Sequence, residues 1–468
     1  PDRAQSREAG ASRMTRLLRN IFLATLIVPA AAFAQSELAA ATLPSAPAPG
    51  LVAQAADTAQ ASALSRAEAE RLAILHNPRI SVGRLLALAQ HQVVREARSA
   101  NLPLAMGSIT ASQAEDGSRV SAGSLTAPRL FTHAGAGGSV SQLITDFGRT
   151  HNLVASQKLE EKAQNANALA ATEDIVLATD QAFYNALQAQ ALLKVAAQTV
   201  ETRQTTETLV NQMTQNKLKS TLDLSFAEVD LSQARLLQLD AQNNADATMA
   251  ALDAILGLDH TVRYDLVQDV SPLLPPPADA DPLVQTALGQ RPDLESLAYG
   301  QQSAQKFARA QRDQLLPTIS ALGVAGSVPI RPAAYYTNNW WGSIGVNMNV
   351  PIFNGFLYSA QAKEAEIRAE AASEQTRELR DEIVRDVRTA WLAANTAYQR
   401  VSVTGELVKQ ANLAMQLAQT RYKLGLSSIV ELSQAQLQQT EAEITNTNAS
   451  YQYRLASATL AYETGAQP

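Results

Sequence analysis

The sequence predicts a mainly α-helical chain with a small β part, in which one unit, a helix, two strands and a long helical hairpin, occurs twice. Three observations carry that reading. Residues 149–256 contain neither glycine nor proline, which leaves helix open throughout. Ile344, Val346, Met348 and Val350 alternate with Gly345, Asn347 and Asn349, a period of two that gives a strand one apolar and one polar face. Landmarks of the first half also return in the second at a steady spacing. Pro78, Arg95, Arg98 and Pro103 meet Pro292, Arg309, Arg312 and Pro317 at an offset of 214. From Ile144 onward the offset is 208: Phe183 meets Trp391, Leu218 meets Leu426, Ser220 meets Ser428, Asp223 meets Glu431 and Gly257 meets Gly465. The single length change falls between the two predicted strands, where a surface loop belongs.

The elements follow in order. Met14, Arg16, Arg19, the apolar run from Ile21 to Val28 and Ala32-Phe33-Ala34 have the layout of an export signal, so residues 1–34 read as upstream residues and signal peptide. That apolar run is well short of the ~20 residues a spanning helix needs. Residues 35–64, rich in Ala, Ser, Pro and Gln, read as a flexible lead-in. The first structural repeat covers 65–258. It opens with helical pattern from Ser65 to Asn101, continues through strands at about 104–113 and 138–147, and ends in the long hairpin. The 69 residues from Gly148 to Asn216 make a helix of roughly 100 Å at 1.5 Å per residue. Phe183, Ala186, Gln190, Leu193, Ala197 and Val200 alternate spacings of three and four along it, a heptad-like packing pattern. A Pro-rich linker at 259–281, with Pro272 and Pro275 to Pro277, precedes the second repeat at 282–465, whose strands fall at about 318–328 and 342–352.

Composition bounds the function. The 468 residues are 46% hydrophobic but only 18% charged and 5% aromatic, and carry a formal net charge of −6, which excludes a general nucleic-acid binder. The absence of cysteine excludes a disulfide framework, a thiolate metal site and an acylated N-terminal Cys. The five histidines, at 76, 91, 133, 151 and 260, are scattered. No nucleotide-binding loop, nucleophile constellation or metal-ligand run stands out, so neither an enzyme nor a cofactor is expected.

Strand count makes a physical demand. An apolar face with a polar back suits the wall of a membrane barrel, but each chain offers four strands and about eight is the observed minimum for closure. An unclosed sheet in lipid would leave backbone groups unpaired at several kcal/mol each. Two copies would give eight strands and three would give twelve. Tyr335, Tyr336, Trp340 and Trp341 crowd the loop before the last strand and read as an interfacial aromatic belt, with ordinary loop packing as the alternative.

With these residues in place, the chain resembles the TolC family of outer-membrane efflux proteins over about 65–465. The closest likeness lies in the strand-to-helix corners Gln142 to Arg149 and Val350 to Gly355, and in the run from Tyr422 to Leu432. The resemblance implies a homotrimer with a 12-stranded outer-membrane β-barrel, continued by an α-helical barrel through the periplasm of a Gram-negative bacterium. It implies a passive exit duct for drugs, small solutes or type I secreted proteins. A periplasmic adaptor protein, an inner-membrane RND or ABC transporter and outer-membrane lipid are the implied partners. The remaining function class is a secreted structural coiled-coil spacer or surface fibre, which accounts for the rods but not for the amphipathic strands.

By position, the resemblance makes Glu431, with Asp223, Gln434 and Tyr422, the periplasmic gate and selectivity residues. Lys217, Leu218, Ser220, Gly425, Leu426, Ser427 and Ser428 become the adaptor-facing tip. The arginine that partners Tyr422 in some members falls at Ser427 here, which leaves Lys217, Lys219 or Arg421 as substitutes. The residues also admit a plainer reading. Ser220-x-x-Asp223 and Ser428-x-x-Glu431 both fit a capping box, and an acid at a helix start is favoured by the helix dipole.

Overall fold

Long helices dominate the fold because the sequence gives them nothing to stop at, and they end only where glycine, proline or a capping serine intervenes. The computed structural model describes residues 62–113, 119–122, 125–129, 133–258, 264–268, 272–327 and 340–465. The expected signal peptide, the expected lead-in up to residue 61, Tyr335 and Tyr336 lie outside the described residues.

The chain runs β1 (Ser62–Leu64), α1 (Arg66–His76), α2 (Pro78–Ser99), β2 (Leu104–Ser112), β3 (Arg119–Ala122), β4 (Leu125–Arg129), β5 (His133–Thr145), α3 (Arg149–Gln215) and α4 (Thr221–Leu256). It continues through β6 (Tyr264–Leu266), α5 (Asp281–Gln290), α6 (Pro292–Arg312), a short 3-10 turn, β7 (Thr318–Ser327), β8 (Trp341–Asn349), α7 (Leu357–Lys423) and α8 (Ile429–Glu463). Helices α3 and α7 are each 67 residues long, or about 100 Å. Their hairpin partners α4 and α8 have 36 and 35 residues and flank only the lower half of each rod. The upper half of α3 is flanked instead by α2 and α6, and α6 also packs on α7.

Where the lower partner ends and the upper one begins, both halves are built alike. The expected single helix from Ser65 to Asn101 is in fact two, because Pro78 has no N–H to give and forces Asn77 out of helical conformation (φ −67°, ψ 124°). The Asn77 side chain caps α2 at Arg79 N, and its amide donates 2.9 Å to the carbonyl of Ile255 in the last turn of α4. In the second half Arg291 precedes Pro292 and binds Glu463 in the last turn of α8. Ile255 and Glu463 are themselves 208 residues apart, so one latch has been kept with different chemistry. The glycines that close α4 and α8, Gly257 (φ 70°) and Gly465 (φ 67°), let each helix end press on the chain just before the break. A Cβ on Gly257 would meet His76 O at 2.8 Å.

The core is largest at this level. Leu64, Ala69, Ala73 and Ile80 meet Ile175, Phe183, Ala186, Leu252, Leu256 and Tyr451 there. Parallel pairing of β1 with β6 pins the first strand to the linker, so the lead-in ends at least three residues earlier than expected. Neither strand shows any periodicity in the sequence. Trp391 Nε1 donates 2.8 Å to Pro277 O, and Tyr453 donates to Leu274 O, strapping the Pro-rich segment across α7 and α8.

A four-stranded antiparallel sheet in the order β2-β5-β7-β8 lies at the other end of the rods. Each half gives two neighbouring strands. β5 starts five residues before its expected position, where Ala134 to Gly138 hides the alternation, and β8 stops at Asn349, ahead of Val350 and Pro351. The β3–β4 pair was not anticipated from the sequence. Both sheet-to-rod corners use two successive left-handed residues, Phe147 and Gly148 in one half and Gly355 and Phe356 in the other.

Gly257→Ala should destabilise the fold by more than the about 1–2 kcal/mol of left-handed strain alone, because its Cβ also strikes backbone. Gly425→Ala, with φ 75° and open space around it, should cost the strain only. Thermal unfolding of the two purified variants checks the order; equal shifts in midpoint would contradict it.

Candidate functional site

Two regions carry residues that packing alone does not explain, the tip of the rods and the faces of the sheet. At the tip the two hairpins turn in the same way. Leu218 N donates to Met213 O and Lys217 N to Thr214 O, while Leu426 N donates to Arg421 O and Gly425 N to Tyr422 O, every atom pair shifted by 208. This closure needs one left-handed residue, and Lys217 (φ 60°) serves where the second half has Gly425. The turns push Leu218 and Leu426 into solvent at 71% and 66% exposure, with Leu222, Leu424 and Val430 also exposed beside them.

Behind the turns Tyr422 is fully buried among Val210, Ala227, Met415, Ala418, Ile429 and Leu432. Its hydroxyl has no hydrogen-bond partner, and neither has the buried hydroxyl of Ser427. Lys219 Nζ sits 4.3 Å from the centre of the Tyr422 ring, a cation–π distance. Burial, and then the negative charge of Asp223, push the Tyr422 phenol up to about 12. Lys219 is therefore the basic residue that meets Tyr422.

The two tip acids behave differently. Asp223 completes a capping box, accepting from Ser220 N at 3.4 Å while its own N–H donates 3.1 Å to Ser220 Oγ. Glu431 N donates to Ser428 Oγ at 3.3 Å, but the Glu431 carboxylate turns to Arg421 Nε at 3.2 Å. Arg421 also donates to Leu426 O. That pair was missed from the sequence because ten residues and a turn separate its members. Gln434 lines a cleft of about 250 Å³ between α4 and α8 with Phe226, Asp230, Leu437 and Arg203. Arg203 is buried against Gln436, which in turn donates to Thr206. Desolvation lowers the Arg203 pKa, partly offset by Asp230.

The register of the sheet sorts its side chains. Ala105, Val140, Gly323 and Ile344 lie in one row across the four strands, next to Ala321 paired with Val346 and Ile319 paired with Met348. That face is apolar and open to the surroundings, with Ile344 92% and Ile109 88% exposed. The opposite face carries Ser108, Thr110, Ser139, Ser141, Ser320, Ser343, Asn347 and Asn349, with Leu104, Met106, Leu143, Leu322 and Val324 among them. Trp340 and Trp341 stand exposed at the far end of β8, Trp341 by register on the polar face. At the rod end, Ile352, Phe353 and Phe356 are also exposed, the two rings edge to face at 5.7 Å. Among the described residues no helix is long and apolar enough to cross a membrane, and no group of three or more His, Asp or Glu is placed to hold a metal.

Residues 283–466 match the family model described as outer membrane efflux protein. Outer membrane protein TolC of Salmonella enteritidis is 23% identical over 341 residues, 70% of this chain and 68% of that protein. The toluene efflux pump outer membrane protein TtgC of Pseudomonas putida is 23% identical over 299 residues, so that the match spans 62% of this chain and 60% of TtgC. The outer membrane efflux protein BepC of Brucella suis is 23% identical over 384 residues, 80% of each chain. Among solved structures, CusC superposes with a TM-score of 0.75 at 18% identity, over 85% of this chain and 91% of that one. The outer membrane protein VceC of Vibrio cholerae gives 0.72 at 18%, over 86% and 96%. At such identities the superpositions speak for the fold, and that fold is the duplicated sheet-and-rod arrangement described above. Over residues 283–466 the chain is similar to the outer membrane efflux protein family, and its fold is that of the superposed outer-membrane channels.

Proposed function

We propose that three copies of this chain form the outer-membrane exit duct of a tripartite export system. It works passively with a periplasmic adaptor and an inner-membrane transporter, and carries drugs and other small solutes or a secreted protein. The observation that carries this reading is the sheet. Its apolar face is exposed, its other face is hydroxyl-rich, and its edge strands β2 and β8 pair with nothing among the described residues. The β8 edge of one copy meets the β2 edge of the next in antiparallel sense, and three copies close twelve strands. A spacer or fibre has no use for such a sheet.

The duplication supports one arrangement of neighbouring copies. Within the chain, α6 of the second half lies across α3 of the first, with Ser296 Oγ donating 2.9 Å to Ala163 O. The equivalent helix α2 packs on α3 but has no second rod within its own chain, and its Val82, Leu85 and Leu86 are exposed. In the ring, α2 lies across the next copy's α7, with Val82 over Ala371, the residues equivalent to Ser296 and Ala163. At the tip, exposed Leu218 and Leu426 face the adaptor together with Lys217, Ser220, Gly425, Ser427 and Ser428. Glu431 and Asp223 stand at the mouth, with Tyr422 and Gln434 behind them. Trp340 stands at the outer aromatic belt, Trp341 falls by register on the inner face, and Phe353 and Phe356 stand at the belt nearer the rods.

Three outcomes test this. In a chain without cysteine, Val82→Cys combined with Ala371→Cys should oxidise to covalent dimers and trimers in isolated outer membranes, while either single variant stays monomeric in SDS. Failure of the pair to cross-link would reject the ring. Glu431→Ala should lower single-channel cation preference several-fold and Arg421→Ala should raise it, since a charge at 4 Å in water is worth about 1 kcal/mol. Unchanged selectivity in both would remove the pair from the mouth. Leu218→Asp with Leu426→Asp should abolish export in cells while trimers still assemble, and normal export in that variant would reject the docking role of the tip.

A further inference from the structure

Beside the helix junctions lies a cluster that neither the mouth nor the sheet uses. Arg66 Nη1 is 2.7 Å from Glu70 Oε1 and 3.0 Å from Asp180 Oδ2, so a single guanidinium nitrogen serves two carboxyl groups on different helices, α1 and α3. Both acids are buried, Glu70 at 8% and Asp180 at 3% exposure, and Asp180 Oδ1 has no hydrogen-bond partner. Two ionised carboxylates against one cation would leave a surplus negative charge out of water, which is costly. A proton on Glu70 removes the surplus and turns Glu70 into a donor toward Asp180. Burial first, then the hydrogen bond to Asp180 and its charge, push the Glu70 carboxyl up to about 7, against the opposing pull of Arg66.

Among the described residues Arg66 is the cation seen in hydrogen-bond contact with both acids, and other charged and titratable groups stand around the cluster. On α3, Tyr184 lies beside Arg66, and Arg454 of α8 lines the same cavity with both. From α4, which also packs on α1, the buried charge is Asp253, and its field falls on Tyr264 of β6. The remaining ion pair of α1, Arg71 with Glu68, is on its solvent side. Helix α1 is a small pad. Ala69 and Ala73 bury it against the rods, and β1 pins it at one end.

We propose that Arg66, Glu70 and Asp180 form a proton-operated clasp that holds α1 against α3 while a proton is shared between the two carboxyls and loosens α1 when that proton is lost. The sign follows from the direction of the shift. A carboxyl whose pKa is raised in the docked state favours docking at low pH, and that contribution is lost as pH rises through about 7. The periplasmic side of the rods would thus be tightest in acid and loosest in alkali.

Amide hydrogen exchange on the full chain in lipid nanodiscs, from about pH 5.5 to about pH 8.5, tests the clasp. Protection of 66–76 is taken relative to 78–99, which cancels the intrinsic pH dependence of exchange. The unaltered protein should lose roughly tenfold relative protection across that range. Glu70→Gln, whose amide donates to Asp180 at every pH, should give a flat profile at the low-pH level. Asp180→Asn, which leaves Glu70 to Arg66 alone, should also be flat. A flat profile in the unaltered protein, or an undiminished fall in either variant, would overturn the clasp.

Discussion

Backbone hydrogen bonding in a medium without water is the constraint on which the rest of the structure depends. Strands β2, β5, β7 and β8 have 9, 13, 10 and 9 residues, close to the about 9–11 that a tilted strand needs to cross a hydrocarbon layer. Inside the sheet the strands pair along their length, with one irregularity between Leu143 and Thr145, but among the described residues nothing pairs with the outer sides of β2 and β8. In lipid each such group costs several kcal/mol, far beyond what a marginally stable fold can absorb. A sheet left open in lipid would be incomplete as a monomer, and this demand of the peptide unit is what supports the proposed closure by further copies.

In the proposed ring, duplication gives level ends. Rods of equal length, hairpin partners that differ by one residue, and tips whose hydrogen bonds match atom for atom bring both hairpins to the same depth. The latch at mid-height keeps them in step. Asn77 to Ile255 O is a neutral hydrogen bond, and Arg291 to Glu463 an ion pair reinforced by Asp293 and by the Tyr462 ring. The burial and position of the contact were retained while its chemistry drifted. A latch of this kind is needed where α2 takes over from α4 as the neighbour of α3, since a long rod loses its packing partner there and both helix ends expose unpaired backbone groups.

Much of this was legible in the residues. The alternation of Ile344, Val346 and Met348 gave both the strand and the side that faces outward. The offset of 208 anticipated the equivalence of the two turns, including a left-handed position that Gly425 announces and Lys217 conceals. The serine caps at Ser220 and Ser428 are where their spacing put them. What the sequence hid is equally physical. Pro78 served only as a landmark of the duplication, and the single helical stretch expected from Ser65 to Asn101 ran straight through the break it makes. The small residues from Ala134 to Gly138 fit either face, so β5 had no readable start. The β1–β6 pair joins segments two hundred residues apart, a contact that no local pattern encodes. At the tip, the arginine absent at Ser427 drew attention to possible substitutes. Geometry gives Lys219 to Tyr422 and Arg421 to Glu431, a division that depends on how the two hairpins lie against each other.

The distribution of charge then says where a duct of this shape can discriminate. The described residues of β2, β5, β7 and β8 include no Asp, Glu, Lys or Arg on either face. A wall of Ser, Thr and Asn interspersed with Leu, Met and Val offers hydrogen bonds to polar solutes and a strong field to none. At the tip, Lys217, Lys219, Asp223, Arg421, Lys423 and Glu431 lie on or beside two turns only, at the narrow end of the proposed pipe, where field lines crowd between low-dielectric walls. In the duct proposed above, sorting by charge therefore belongs to the tip of the rods, and the barrel imposes size and wetting. Exit is then permissive and entry is where selection occurs, as suits a duct loaded by a separate transporter.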